Sequence, residues 1–318
     1  MTHARIVVIG NTNVDLTTYV DRHPSEGETV IGHDFTVGMG GKGANQAVAA
    51  ARAGGDVSFI GRIGDDTFGE LVTENLGGEG LTLDHLETVP GKTGVASIYV
   101  DSAGSNRIAV FTGASGTIDA GVATAGVGAH VSPGYLISQL EISQESVLAA
   151  LQAARTTGAD TILNIAPYSR LLEGILENTS WLIANEVEIQ DLVSDLGVGA
   201  PDSGVSASTL ADLLPGWGAA LGCNIILTLG GDGAIGWTSS DGVFHFAASP
   251  VTAVDTVGAG DCFVGYFVAS LEGGLTWKQA LCAGVLAATD SVQRPGAQSS
   301  YPDRSRAEEF AQAAKTSA

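Results

Sequence analysis

Cysteine, lysine and histidine are scarce in this chain, and each scarcity closes off a kind of chemistry. The three cysteines, Cys223, Cys262 and Cys282, stand far apart in apolar surroundings. They cannot build a disulfide framework, and with no C-x-x-C pair and six scattered histidines they give no zinc-ligand spacing. They read as core thiols of a reducing compartment. Basic residues number only 14, against 35 acidic ones, for a net charge of −21. Such a field repels phosphodiester backbones and anionic lipid, so neither nucleic acid nor a membrane surface is expected as a partner. Long apolar runs are missing too. The run at 6–9 is too short for a signal peptide, and no segment reaches the length of a membrane span. A cytoplasmic protein is expected, with an apolar content of 44% to fill a large core.

What is abundant is alternation. Short β-branched runs at 6–9, 57–60, 135–140, 161–165, 181–184 and 224–229 read as strands. Helical stretches at 44–53, 67–76, 145–156, 186–196, 208–221, 261–272, 276–289 and 307–314 lie between and after them. The pattern predicts an α/β fold, a mostly parallel sheet with helices on both faces. Two segments break it. Residues 19–37 follow the first strand without a helix, and 94–111 hold a hairpin signal with a turn at Asp101-Ser102-Ala103-Gly104. Together they predict a small antiparallel sheet standing off the body, placed to cover a ligand or to pair with a second subunit. Another hairpin is expected over 234–246, and the small-residue stretches 113–128 and 197–208 are expected to be loops.

The glycine-rich stretches carry the chemistry. Gly258-Ala259-Gly260-Asp261 runs into an apolar segment, 262–269, that reads as a buried helix. The first NH groups of a helix lack intrahelical partners and attract anions, which suits the charge on a transferring phosphoryl group. Asp261 would stand beside that pocket as a proton acceptor, although alone it could equally be an acid favouring the helix dipole. Gly38-Met39-Gly40-Gly41-Lys42-Gly43 opens the alanine-rich helix and lets a small ligand approach the backbone, with Asn45 in the first turn. It is not a Walker A loop, because glycine follows Lys42 where that motif has serine or threonine. Gly10 likewise lacks the further glycines of a dinucleotide fingerprint.

Other candidates are single residues at strand ends. Asn13 and Asp15, two apart on an extended segment, point to one side and could together grip neighbouring hydroxyls; an Asx turn would use the same residues. Glu141 closes a strand at the end where open α/β sheets bind ligands. Asn185 and Glu188 have the spacing of a capping box, which does not prevent contact with a metal–phosphate group. Thr228-Leu229-Gly230-Gly231-Asp232-Gly233 ends a buried strand in a form suited to close approach of a nucleotide. The bend at 291–300 offers backbone carbonyls to a monovalent cation, or is an ordinary surface loop.

Taken in order, Asn13-x-Asp15, Gly40-Gly41-Lys42-Gly43-Ala44-Asn45-Gln46, Glu141, Asn185-x-x-Glu188, the run from Asp255 to Asp261 and Gly296-Ala297-Gln298 resemble the PfkB carbohydrate kinases, most closely the ribokinases among them. The resemblance spans essentially the whole chain. It implies a three-layer α/β kinase domain over 1–318 with a β lid formed by about 13–37 and 93–112. It implies transfer of the γ-phosphate of ATP to the primary hydroxyl of a small sugar, D-ribose first, with Asp261 taking the hydroxyl proton and the NH groups of Gly258, Ala259 and Gly260 facing the phosphate. The sugar would be surrounded by Asn13, Asp15, Gly41, Lys42, Asn45 and Glu141. ATP phosphates and Mg2+ would lie near Asn185 and Glu188, and Thr228, Gly230, Gly231 and Gly233, with Gly260, would line the nucleotide groove. An activating K+ would fall on Asp255, Val257, Ser291, Arg294, Gly296 and Ser300, and a homodimer would form through the lid. Other readings are a kinase of the same family for another sugar or a nucleoside, and a catalytically silent sugar-binding regulator. The chain departs from the ribokinase pattern at Gly231-Asp232, where a serine and a basic residue are expected, and in the helix before the cation loop.

Overall fold

Four β-branched residues without a polar interruption form the first strand, β1 (Ile6–Ile9), buried along its whole length. A strand with no exposed face belongs inside a parallel sheet covered on both sides. The computed structural model describes residues 5–130, 134–199 and 206–317. After β1 come β2 (Asn13–Tyr19), β3 (Asp34–Gly40), α1 (Lys42–Arg52), β4 (Val57–Gly64), α2 (Thr67–Gly78), β5 (Thr82–Val89), β6 (Gly94–Val100), β7 (Asn106–Phe111) and α3 (Ala120–Gly128). The second half holds β8 (Tyr135–Gln139), α4 (Gln144–Thr157), β9 (Asp160–Asn164), β10 (Trp181–Asn185), α5 (Glu186–Leu196), α6 (Ala207–Leu221) and β11 (Asn224–Thr228). It ends with β12 (Ala234–Thr238), β13 (Gly242–Phe246), α7 (Ala259–Glu272), α8 (Trp277–Ser291) and α9 (Arg304–Ser317).

The main sheet has the order β13-β12-β11-β10-β9-β8-β1-β4-β5, parallel from β11 through β5 and antiparallel only at the β12–β13 edge. Alternation along each strand sends side chains to two separate cores. Ile6 and Val8 join the core beneath α1, α7 and α8, with Phe263 and Phe267, while Val7 and Ile9 join the core beneath α3 to α6, with Leu151 and Trp217. The three cysteines are free and buried. Among the described residues no helix is long and apolar enough to cross a membrane.

The second sheet has the order β3-β2-β6-β7. Its outer ladders are antiparallel, but β2 and β6 pair in parallel. The reason is topological: β2 continues from β1 and β6 from β5, which run the same way in the main sheet, so both leave it in one direction. β3 runs on to Gly40, into the glycine cluster.

The structure overturns one loop expectation and adds a strand. Stretch 113–128 forms a short turn of 3-10 helix (Gly113–Thr117) and then α3, started by Asp119, whose carboxylate accepts the Val122 N–H at 2.9 Å. Its three glycines, with two valines and a threonine, give little propensity, and burial of Ala123 and Val127 supplies what they lack. Strand β5 escaped notice because its half-exposed edge carries Asp84, His85 and Glu87 among the apolar residues. Of the loop expected at 197–208, residues 200–205 lie outside the described residues, as do 1–4.

Nine consecutive residues of α7, from Asp261 to Ala269, are buried, so this helix is packed all round. It crosses α1 at Gly265, where a Cβ would lie 2.6 Å from Ala50 N and 2.7 Å from Gln46 O. Backbone atoms cannot give way as side-chain tips do. Overpacking there would outweigh the roughly 1 kcal/mol that alanine gains in helix propensity. That close crossing sets the first turns of α1 and α7 against one another.

Candidate active site

Where α1 meets α7, the Asp261 carboxylate is 5% exposed and held at both oxygens. Asn45 Nδ2 donates to Oδ2 at 3.0 Å, and Gln46 Nε2 donates to Oδ1 at 2.9 Å. The turn before it is fixed from behind. Gly258 starts α7 at φ 73°, a left-handed conformation that glycine adopts without strain, and its carbonyl accepts the Tyr301 hydroxyl at 3.0 Å. A Cβ on Gly258 would come within 2.6 Å of that hydroxyl and 2.8 Å of the Ala297 methyl. The Ala259 N–H bends back to Thr256 O in a long bond of 3.3 Å.

Asp261 lies at one wall of a cavity of about 610 Å³ over the carboxyl ends of β9, β10 and β11. Gly258, Ala259 and Gly260 line it with Asp261, as do Lys42, Asn185, Glu188, Thr228, Gly230, Gly231 and Gly233. Asp261, the glycine turn and the nucleotide-side candidates thus share one space. Val187, Val251 and Val292 add an apolar wall that the sequence reading missed. Asn185 and Glu188 do form the capping box: Asn185 Oδ1 accepts the Val187 and Glu188 N–H groups at 2.9 Å, and Glu188 Oε2 accepts the Asn185 N–H at 2.8 Å. Burial pushes the Glu188 carboxyl above its ordinary range. Lys42 is also shifted upward, but by charge rather than burial. The field of Asp261, reinforced by Glu141 and Glu188, holds its ammonium protonated more firmly than usual despite burial.

The sugar-side candidates gather beyond Lys42, outside that cavity's lining. Asn13 and Asp15 share a face of β2, and Asn13 Nδ2 donates to Asp15 Oδ1 at 2.6 Å. Gly40 packs against the Asp15 carboxylate. Gly41 turns the chain from β3 into α1 at φ 91°, and a Cβ there would stand 2.8 Å from Thr12 Cα. The Lys42 N–H then donates to Glu141 Oε2 at 2.9 Å. Asn45 bridges the two groups of residues. Burial first, then the charge of Glu141, lifts the Asp15 carboxyl to about 6.

The cation-loop candidates are stitched together by Asp255, whose carboxylate accepts the Val257 N–H at 3.0 Å and the Gly296 N–H at 2.8 Å. Val254 N and Asp255 N both reach Val292 O, and Arg294 N bonds Ser291 O at 3.1 Å. Ser300 departs from the expectation. Its carbonyl accepts Arg294 Nε and a terminal guanidinium nitrogen, at 3.1 and 2.7 Å, leaving it poorly placed to ligate a cation.

Sequence reading also missed the polar side chains behind the base. Gln46 donates to Asn164 Oδ1 at 3.0 Å as well as to Asp261, and it accepts Gln139 Nε2 at 2.7 Å. The available signal was an uncharged polar residue ending an apolar strand, as Gln139 does in β8 and Asn164 in β9.

Asp15 makes a stability prediction. Its native pKa lies above the unfolded value of about 3.9, so between those values the native state binds more protons than the unfolded chain. Its contribution to stability is therefore whole at low pH and falls as pH rises to about 6. Replacing it by asparagine removes this loss. The stabilisation by Asp15→Asn, measured from urea midpoints, is expected to grow by about 1 kcal/mol between pH 5 and pH 8. An equal effect at both pH values would show that Asp15 is ionised throughout.

Residues 3–304 match the family model of the pfkB family carbohydrate kinases. The ribokinase of Schizosaccharomyces pombe is 38% identical, over 93% of this chain and 94% of its own length. A deoxyribokinase of Salmonella typhi is 35% identical, over 96% and 98%. Among solved structures, the ribokinase of Thermotoga maritima superposes with a TM-score of 0.85 at 33% identity, covering 97% of this chain and 99% of that one. Arabidopsis thaliana ribokinase complexed with ribose and ATP reaches 0.85 at 26% identity, with 98% and 99% covered. Matches that run nearly end to end at this level place the chain in the pfkB family of carbohydrate kinases.

Proposed function

We propose that this protein phosphorylates D-ribose on its primary hydroxyl with ATP, giving ribose 5-phosphate. One observation carries the reading: Asp261 both lines the nucleotide-side cavity and bonds Asn45, whose helix begins at the Gly41–Lys42–Glu141 corner beside Asp15. Asp15 and Asn13 hold the sugar's ring hydroxyls, Gly41 lets the ring approach the backbone, and the primary hydroxyl points at Asp261. Asp261 accepts its proton as the oxygen attacks the γ-phosphorus, and the α7 N-terminus stabilises charge on the phosphoryl oxygens. The triphosphate lies along Thr228, Gly230, Gly231 and Gly233, with the nucleobase against Val187 and Val251. Lys42, amid three carboxylates, is a fixed positive charge for the transferring group. The whole chain works as one kinase domain, with segments 13–37 and 93–112 as a lid that keeps water from the phosphoryl group.

Magnesium fits the nucleotide side. Glu188, fixed at the helix start by Asn185, presents a carboxylate oxygen of the kind that would hold it beside phosphates, where it would supply charge neutralisation. A potassium site is proposed at Asp255 and the carbonyls of Val257, Ser291, Arg294 and Gly296, loops that Asp255 already draws together. Turnover undiminished when potassium is replaced by a bulky organic cation would remove that site. On the face of the lid turned away from Asp15, Phe35, Val37 and Phe111 are about half exposed. An apolar sheet surface of this kind supports a homodimer through the lid. A monomer mass in sedimentation at micromolar concentration would exclude it.

Deoxyribokinase relatives at 35% identity, beside ribokinases at 38% and 34%, favour 2-deoxyribose as a second reading. Comparing kcat/KM for the two sugars with ATP decides between them, and a panel of other sugars and nucleosides tests the class. Asp261→Asn is expected to lower kcat by about 10²–10⁴ while the sugar KM changes by no more than a few fold. Comparable turnover in that variant would end the proton-acceptor role.

A further inference from the structure

The Asp261 carboxylate stands at the end of two rows of side-chain amides, and we infer that Gln298 and Asn75 on one row and Gln139 on the other are positioning residues for the base. The inference rests on the sugar-kinase reading above.

Polarity fixes the first row link by link. Both Asp261 oxygens accept amide N–H groups, so Asn45 turns its nitrogen to Asp261, at 3.0 Å, and its oxygen away. That oxygen needs a donor, and Gln298 Nε2 supplies it at 3.0 Å. The Gln298 oxygen faces outward in turn and accepts Asn75 Nδ2 at 2.8 Å. Each amide therefore dictates the orientation of the next, from half-buried Asn75 on α2 to the base. The second row is shorter: Gln139 Nε2 donates to Gln46 Oε1, which leaves the Gln46 nitrogen for Asp261 and Asn164.

Each row delivers one N–H to one carboxylate oxygen. With both oxygens pinned in this way, the carboxylate cannot rotate about its Cβ–Cγ bond, and the lone pairs left over point in fixed directions. A base held so is aligned before the hydroxyl arrives. Gln298 has no contact with the cavity's lining and acts only through Asn45. Its backbone is itself anchored, since the Arg52 guanidinium donates to Gln298 O at 2.6 Å and to Tyr301 O at 3.1 Å.

Two near-isosteric variants separate orientation from space filling. Gln298→Met keeps the volume and removes the donor; Gln298→Glu puts an acceptor against the Asn45 oxygen and forces that amide to turn its oxygen toward Asp261. Expected kcat falls about tenfold in the first and about a hundredfold or more in the second, with KM for ribose and ATP within about twofold. The Asn45 side-chain NH2 resonances in 15N–1H spectra of the nucleotide-free protein are expected to move in both. A residue that merely fills space gives a methionine variant with wild-type kcat and an unmoved Asn45 signal, and that result overturns the inference. Should the buried variants fail to fold, Asn75→Ala frees the Gln298 oxygen from the half-buried end, and an unmoved Asn45 signal there overturns it equally. Loss of all sugar and nucleoside phosphorylation by the wild-type enzyme would instead sink the kinase reading, with the spectra still deciding the amide rows.

Discussion

The crossing of α1 over α7 is the constraint on which the site depends. Gly265 removes the one Cβ that would hold these helices apart, and without that approach neither Asn45 nor Gln46 reaches Asp261. Both helices lie in the same core as β1, whose Ile6 and Val8 pack beneath them. Positioning of the carboxylate is thus a by-product of core packing. A site set by rigid helices is held more closely than one set by loops.

Charge is arranged against the overall trend. The chain carries −21, and the ligand proposed for it is a polyanion. At the cavity, positive groups stand among carboxylates: Lys42, the N-terminus of α7 and the backbone amides of the glycine turn face the same space as Glu186, Glu188 and Asp261. Lys42 has Asp261, Glu141 and Glu188 around it, so its charge is secure in a place where burial alone would weaken it.

Much of the architecture could be read from residues 1–318 because its signals are local. Apolar strand runs and caps such as Asn185 with Glu188 depend on neighbours a few positions away, and the structure places those elements within a few residues of expectation. Gly41 and Gly258 could be singled out for a similar reason, since their left-handed conformations are conditions on single residues. What escaped was decided at a distance. Helix α3 is made by burial of Ala123 and Val127 rather than by its own propensity, and β5 is held as a strand by its partner β4. The amide contacts behind Asp261 join positions far apart along the chain: Gln298 to Asn45 and Gln46 to Asp261 are each more than 200 residues apart, and no periodicity in the sequence links them. The Ser300 carbonyl was misplaced for the same reason: the Arg294 guanidinium takes it by folding back over the bend.

The small sheet joins the body through a row of residues, Gly40, Asn13 and Gly94, hydrogen-bonded side by side, with Val14 just beyond it buried in the core beneath α1 and α7. Two of the three have no side chain, so this row is the natural axis for any rotation of the sheet. Asp15 lies two residues along β2, about 7 Å from the axis, while Tyr19 lies six residues along, about 20 Å away. A swing that carries the far end through several ångström displaces the Asp15 carboxylate by roughly a third as much. For the lid proposed above, this geometry is a lever with its gripping point near the fulcrum: the far end would swing widely while Asn13 and Asp15 barely left their places.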